Sequence, residues 1–327
     1  MLLKAIYGNN IQVWTMTTLF DKVIYPVMTY GAEVWFPFNI KLEKAGRNSS
    51  LDCFEMFQKI INSPDATEKL HFKFCRSVLG VHKKTMKMPV LAELGRYPLS
   101  FQMIGQAIGF WIHLTEMKQN SCISAVYSDL MKEGSSSYSP WIQFVKNILK
   151  CLGFDHVWKN QGTLSGKRLK HAIVNKLFDL YKTFWSNTKQ NVNISRFHFY
   201  NKVTKCYRME PYLAFNDFEI RRTMSRFRLS AHDLAVEKGR QQNIPRNDRL
   251  CKMCGVIEDE EHLLNECSIY QNERQNFLAN IPSVVLNVNS QISFLPLMCD
   301  DRVQTQMAIY VNKCFTLRKA KHMGQVL

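Results

Sequence analysis

The chain of 327 residues has no apolar run long enough to cross a bilayer. Its best stretch, Phe101 to Leu114, is interrupted by Gln102 and Gln106 and falls short of the ~20 residues a spanning helix needs. The opening MLLKAIYGNN also lacks the apolar core of a secretory signal, so the sequence predicts an intracellular protein, nuclear or cytoplasmic, that does not enter a membrane. Cysteine is too sparse for a disulfide scaffold. Of the ten, Cys53, Cys75, Cys122, Cys151, Cys206, Cys299 and Cys314 stand singly, which reads as buried free thiols in a reducing compartment. No Gly-rich phosphate loop, no Gly-x-Ser-x-Gly elbow and no His-Glu-x-x-His is present, and His113-Leu-Thr-Glu116 makes no site by itself. A non-enzymatic chain is expected. Strand signals are equally scarce, the brief alternation of Arg196-Phe197-His198-Phe199-Tyr200 reading as one short edge strand.

Helical signals fill the space left. Ser63-Pro64-Asp65 supplies an N-cap, a first-turn proline and a dipole-matching acid ahead of Leu70, Phe74 and Val78, with a stop at Gly80. Pro98 opens a second helix, whose Met103, Ala107, Trp111 and Leu114 form a buried stripe. The run from Gly134 to Pro140 is the clearest linker and sets a boundary between a first and a second helical block. With 46% hydrophobic and 12% aromatic residues the chain can bury a large core, and a mainly α fold is expected.

Acids are scarce where bases are plentiful. The formal charge is +16. From Gly166 to Arg228 there are 14 Lys and Arg, among them Lys167, Arg168 and Lys170, against four acids, whereas residues 1–130 carry 14 bases and 10 acids. Such an excess points to a polyanionic partner. Wound as one helix, Asp217 to Lys238 places Ile220, Met224, Phe227, Ala231 and Leu234 on one side and Arg221, Arg222, Arg226 and Arg228 on the other. Arg240, Arg246 and Arg249 continue the positive run, and the whole set reads as a phosphate-contacting face with Phe218, Leu229 and His232 interleaved.

That run leads into Cys251-x2-Cys254-x7-His262-x4-Cys267, three thiols and one imidazole within 17 residues, the ligand set of one closed, structural zinc ion. Gly255 suits the tight turn after the second cysteine, and Asp259-Glu260-Glu261 reads as the first turn of a helix presenting His262. At ~100° per residue Cys267 points about 140° away from His262, so the helix must bend near Asn265 for both to reach one ion.

Several stretches together carry a family resemblance: LFDKVIYPVMTYGAEVW (Leu19 to Trp35), KLHFKFCRSVLGV (Lys69 to Val81), AELGRYPL (Ala92 to Leu99), SRFRLSAHDLAVEKGR (Ser225 to Arg240) and RLCKMCGVIEDEEHLLNECSIYQNER (Arg249 to Arg274). Their order resembles the C-terminal part of the reverse-transcriptase protein of LINE-type, non-LTR retrotransposons. The resemblance implies a helical thumb-like domain over 1–133, a linker over 134–140, a basic helical domain over 141–245, a CCHC zinc knuckle over 246–275 and a C-terminal segment over 276–327. It implies Cys251, Cys254, His262 and Cys267 as zinc ligands, and element RNA or target DNA as the partner. The family's polymerase needs paired aspartates after an aromatic residue to hold two metal ions. Asp300-Asp301 follows Leu297-Met298-Cys299 instead, so the chain is expected to be the piece after the palm, a fragment of a longer frame or a stand-alone remnant without polymerase activity. The alternative reading is a zinc-stabilised protein-interaction scaffold stacked through Met103, Trp111, Trp141 and Trp185.

Overall fold

The computed structural model describes residues 11–39, 52–117, 121–132, 139–161, 166–190, 197–282 and 294–323. Among these the fold is mainly α, with no strand and two isolated antiparallel bridges, Leu94 with Met209 and Leu250 with Ile257. The helices in chain order are α1 (Val13–Leu19), α2 (Tyr25–Met28), α3 (Ala32–Asn39), α4 (Cys53–Asn62), α5 (Ala66–Leu79), α6 (Lys87–Glu93), α7 (Leu99–Glu116), α8 (Cys122–Lys132) and α9 (Pro140–Cys151). They continue with α10 (Asp155–Lys159), α11 (Gly166–Lys189), α12 (Phe197–Val203), α13 (Phe218–Arg228), α14 (Ala235–Gln241), α15 (Gln271–Ala279), α16 (Phe294–Met298) and α17 (Gln304–Met323). No helix among the described residues is long and apolar enough to cross a membrane.

Two compact units divide the chain, each discontinuous in sequence. One comprises 1–19, 72–96 and 189–327, the other 20–71 and 97–188, so the expected boundary at 134–140 lies within a single unit. Residues 134–138 of that linker and Arg196 are outside the described residues, while Ser139 and Pro140 cap and open α9, the Ser139 hydroxyl accepting from Ile142 N at 3.3 Å.

The unit of 20–71 and 97–188 is built around aromatic rings. Phe57, Phe101 and Tyr181 meet edge to face or tilted at centroid distances of 5.0 to 5.5 Å, and Tyr97 lies 4.4 Å from Phe178. Such contacts add specificity of about 0.5–1.5 kcal/mol per pair to the area buried. The α7 stripe is buried as its spacing requires, with Trp111 stacked on Trp158 and its Nε1–H donated to the Tyr127 hydroxyl at 3.0 Å. Cys53 and Cys151, expected as free thiols, are joined by a disulfide between α4 and the end of α9, with Cα atoms 5.8 Å apart. Their separation of 98 residues hides that pairing from any local reading.

Around α5 and α12 the local signals need correction. The cap of α5 is Asp65, whose carboxylate accepts from Glu68 N at 2.7 Å, and Leu70 faces solvent while Phe74 and Val78 are buried. Gly80 does end the helix, at φ +64°. The supposed edge strand is α12, a helix that buries Phe197, Phe199, Tyr200 and Val203.

The unit of 1–19, 72–96 and 189–327 has α13 packed on α17, with Phe227 between Phe199 and Phe315. Asp217 caps α13 by accepting from Glu219 N and Ile220 N, and the helix stops at Arg228 instead of running on to Lys238. Ser230 takes the left-handed conformation at φ +48°, and the chain resumes helix only at Ala235.

Candidate metal centre

The cysteine segment is shaped by backbone bonds before any ligand is considered. Cys251 N donates to Val256 O at 2.7 Å, Gly255 N donates to Cys251 O at 2.9 Å, and Glu258 N donates to Arg249 O at 2.8 Å. This closes a tight knuckle at whose tip Gly255 sits at φ +70°, a conformation that costs glycine little and other residues more. Asp259 then caps the following turn, its carboxylate accepting from His262 N at 3.0 Å. The turn from His262 to Glu266 is π-helical, closed by Cys267 N donating to His262 O at 2.9 Å. The expected bend near Asn265 is therefore a widened turn: an i to i+5 closure brings the fifth residue back over the first, which a 3.6-residue turn does not do. Cys267 and His262 thereby reach the same point.

One ligand atom from each of Cys251, Cys254, His262 and Cys267 lies within 4.8 Å of the others, an arrangement that could hold a metal ion. The Cys254 and Cys267 sulfurs are 3.7 Å apart. His262 is buried, its Nε2 has no protein partner, and its Nδ1 sits 3.4 Å from a Glu266 carboxylate oxygen. A ligating imidazole has this pattern, one nitrogen for the ion and the other for an orienting carboxylate. A backbone N–H of Ser268 draws the Cys254 thiol below its ordinary pKa. Burial pushes Cys267 up to about 12, with Cys251 and Cys254 adding to the rise. The Cys267 thiolate is thus costly without a cation, and a divalent ion removes that cost.

The knuckle is fastened by Arg318 and Tyr310 of the C-terminal helix, which the sequence does not single out, and by Arg274 of α15, which the family resemblance includes. Arg318 on α17 grips the Glu258 carboxylate through Nε and Nη2 at 3.0 and 2.7 Å. The Tyr310 hydroxyl donates to Leu264 O, and Arg274 donates to the carbonyls of Leu264 and Cys267. Arg274 closes the stretch that carried the family resemblance. Nothing local marks Arg318 or Tyr310, because their partners lie 60 and 46 residues away.

Two members of the expected arginine face, Arg221 and Arg228, are buried. Arg228 is fully buried, with Nε 2.6 Å from Glu93, Nη2 3.0 Å from Glu210 and 3.1 Å from the Thr204 hydroxyl, and Nη1 3.3 Å from Met298 O. Burial alone would lower its pKa, but the two carboxylates overcome this and hold it above the ordinary value. Burial raises that of Glu93, with Arg228 opposing and Glu210 adding to the rise. Arg221 is buried too, donating to Phe215 O and Ile11 O at 2.6 and 3.0 Å. Neither can touch a phosphate. Arg226 donates to Gly80 O, and Arg249 clamps Ile244 O and Val236 O. Arg222, Arg240 and Arg246 pair with Glu219, Glu237 and Asp259.

Lys167, Arg168 and Lys170, at the start of α11, are exposed, as is Lys176 further along the helix. Among the described residues no carboxylate forms an ion pair with any of the four, and the acid on this stretch, Asp179, pairs with Lys182. Comparisons with protein-family models, with curated proteins and with solved structures find no match.

Proposed function

We propose that this chain is a non-enzymatic nucleic-acid-binding module, similar to the C-terminal region of a LINE-type reverse-transcriptase protein, with one structural zinc in its knuckle. Three thiolates and one imidazole are a closed zinc set, and tetrahedral Zn–S bonds of about 2.3 Å place two sulfurs ~3.8 Å apart. The 3.7 Å between Cys254 and Cys267 suits that geometry. With all four positions taken by protein, the ion orders the knuckle and activates no water.

The observation that carries nucleic-acid binding is the set of exposed, unneutralised cations on α11: Lys167, Arg168, Lys170 and Lys176. They replace the buried Arg221 and Arg228 as the phosphate-contacting surface. If all four meet single-stranded RNA, affinity falls with a log–log salt slope of about −2.8, from about −0.7 per contact. Replacing Lys167, Arg168 and Lys170 together by Ala flattens the slope by about 2 units, whereas Arg222→Ala leaves it unchanged. A filter-binding salt titration decides. Equal slopes for wild type and the triple variant overturn the proposal.

A scaffold reading draws on a different feature. Val23, Val27, Tyr30, Val34 and Phe38 are all more than half exposed and recur at three- and four-residue intervals, an apolar stripe suited to a protein partner. Captured protein that survives nuclease treatment but not substitution of Tyr30 and Val34 would favour it.

A further inference from the structure

Beside the basic start of α11 lies a cavity of about 430 Å³, within the range of small-ligand sites. We infer that it receives one unpaired nucleotide of a bound strand, with the phosphate on Lys167 and Lys170 and an amino-bearing base against Phe110. The inference rests on the nucleic-acid reading above and adds a base-selective subsite to it. Phe110 lines the cavity and is braced edge to face by Trp141 at 5.8 Å, which fixes a ring for a base to stack on. Gln106 lines it too, and its Oε1 is a buried acceptor without a hydrogen-bond partner. A buried acceptor left unmade is costly, so a ligand N–H that reaches it is favoured.

Glu33 adds a carboxylate to the same wall. The acceptors so placed favour a base whose edge carries an exocyclic amine, such as adenine. Uracil flanks its single N–H with two carbonyls and would turn at least one of them toward an acceptor. Glu116 lines the cavity as well, its Oε1 accepting from Gly166 N at 2.9 Å, and Lys167 and Lys170, which form no ion pair with either acid, give the backbone phosphate a place to lie. The cavity depends on a glycine: a Cβ added at Gly109 would stand 2.8 Å from Lys170 Nζ and 3.0 Å from its Cε. Gly109 thus lets the Lys170 chain fold down onto α7 and carry its ammonium into the cavity. Because the atoms in conflict are the far end of a flexible side chain, Gly109→Ala is compatible with the fold and moves the ammonium alone.

The test compares short oligoadenylate, short oligouridylate and duplex RNA at one salt concentration, by fluorescence anisotropy on the full chain. Wild type binds oligoadenylate about fivefold to tenfold more tightly than oligouridylate, the size expected when one base satisfies a buried acceptor that the other leaves unmade. Gln106→Leu and Phe110→Leu bring that ratio to about one and leave duplex binding and the salt slope unchanged. Gly109→Ala weakens both single strands about threefold with circular dichroism unaltered. A wild-type ratio of one, or variants that keep the preference, overturns the subsite while the α11 reading stands. Loss of all three ligands' binding at every salt removes both.

Discussion

Arg228→Met tests whether the buried charge network is an internal fastening. The arginine is fully buried and faces two carboxylates, so its removal leaves Glu93 and Glu210 opposite each other without a counter-charge. Breaking such a pair costs about 3–5 kcal/mol, most of it the uncompensated charge left behind. The deficit should depend on pH. In the variant Glu93 keeps the burial that raises its pKa and loses the guanidinium that opposes it, so its carboxyl titrates above its unfolded value near 4.3 and the folded state binds more protons than the unfolded one. Such a group gives stability that is complete below the unfolded pKa and lost as pH rises through the folded one. The variant's deficit is therefore largest at neutral pH and shrinks as pH falls toward 5, and adding Glu93→Gln recovers part of it at pH 7. Urea unfolding by far-ultraviolet circular dichroism, with hydrogen exchange across α13, measures this. A loss under 1 kcal/mol that is flat with pH would refute the argument.

Elemental analysis of protein purified without chelator should find one zinc per chain, and Cys254→Ser should remove it and expose the amides of residues 251–267 to exchange; an ordered, metal-free segment contradicts this. Alkylation of the denatured, demetallated but unreduced chain should add eight groups, rising to ten after reduction of the Cys53–Cys151 bridge. Ten adducts without reduction would show that these two cysteines are thiols. Primer extension with template and magnesium should give no product above a blank, and any extension lost on mutating Asp300 or Asp301 would overturn the non-enzymatic reading.

What could be read in advance was what is local. The four Cys and His residues that could hold a metal ion fall within 17 residues, and the α7 stripe repeats within one helix, so spacing alone marks both. Five residues around Phe197 could not separate strand from helix, because Phe197, Phe199 and Tyr200 are all buried and alternation has no meaning there. The arginine run misled for a related reason. Whether a guanidinium faces water or a carboxylate is decided by partners such as Glu93, 135 residues away from Arg228, and composition holds no record of that distance. A bend near Asn265 is a geometric need of the spacing, yet its form, a π turn from His262 to Glu266, depends on a backbone bond that side-chain pattern does not specify.

The alternation of the two units along the sequence has a consequence for how the protein is made. Residues 20–71 and 97–188 are all available once Thr188 has left the ribosome, so that unit can close early. The other cannot: Glu93 waits for Arg228, and α13 waits for α17, which begins at Gln304. At roughly 5–20 residues per second that interval lasts on the order of ten seconds, during which Glu93, fully buried at the end, has no guanidinium opposite it. Slowing or cutting translation between Arg228 and α17 therefore harms residues 72–96, which were synthesised long before.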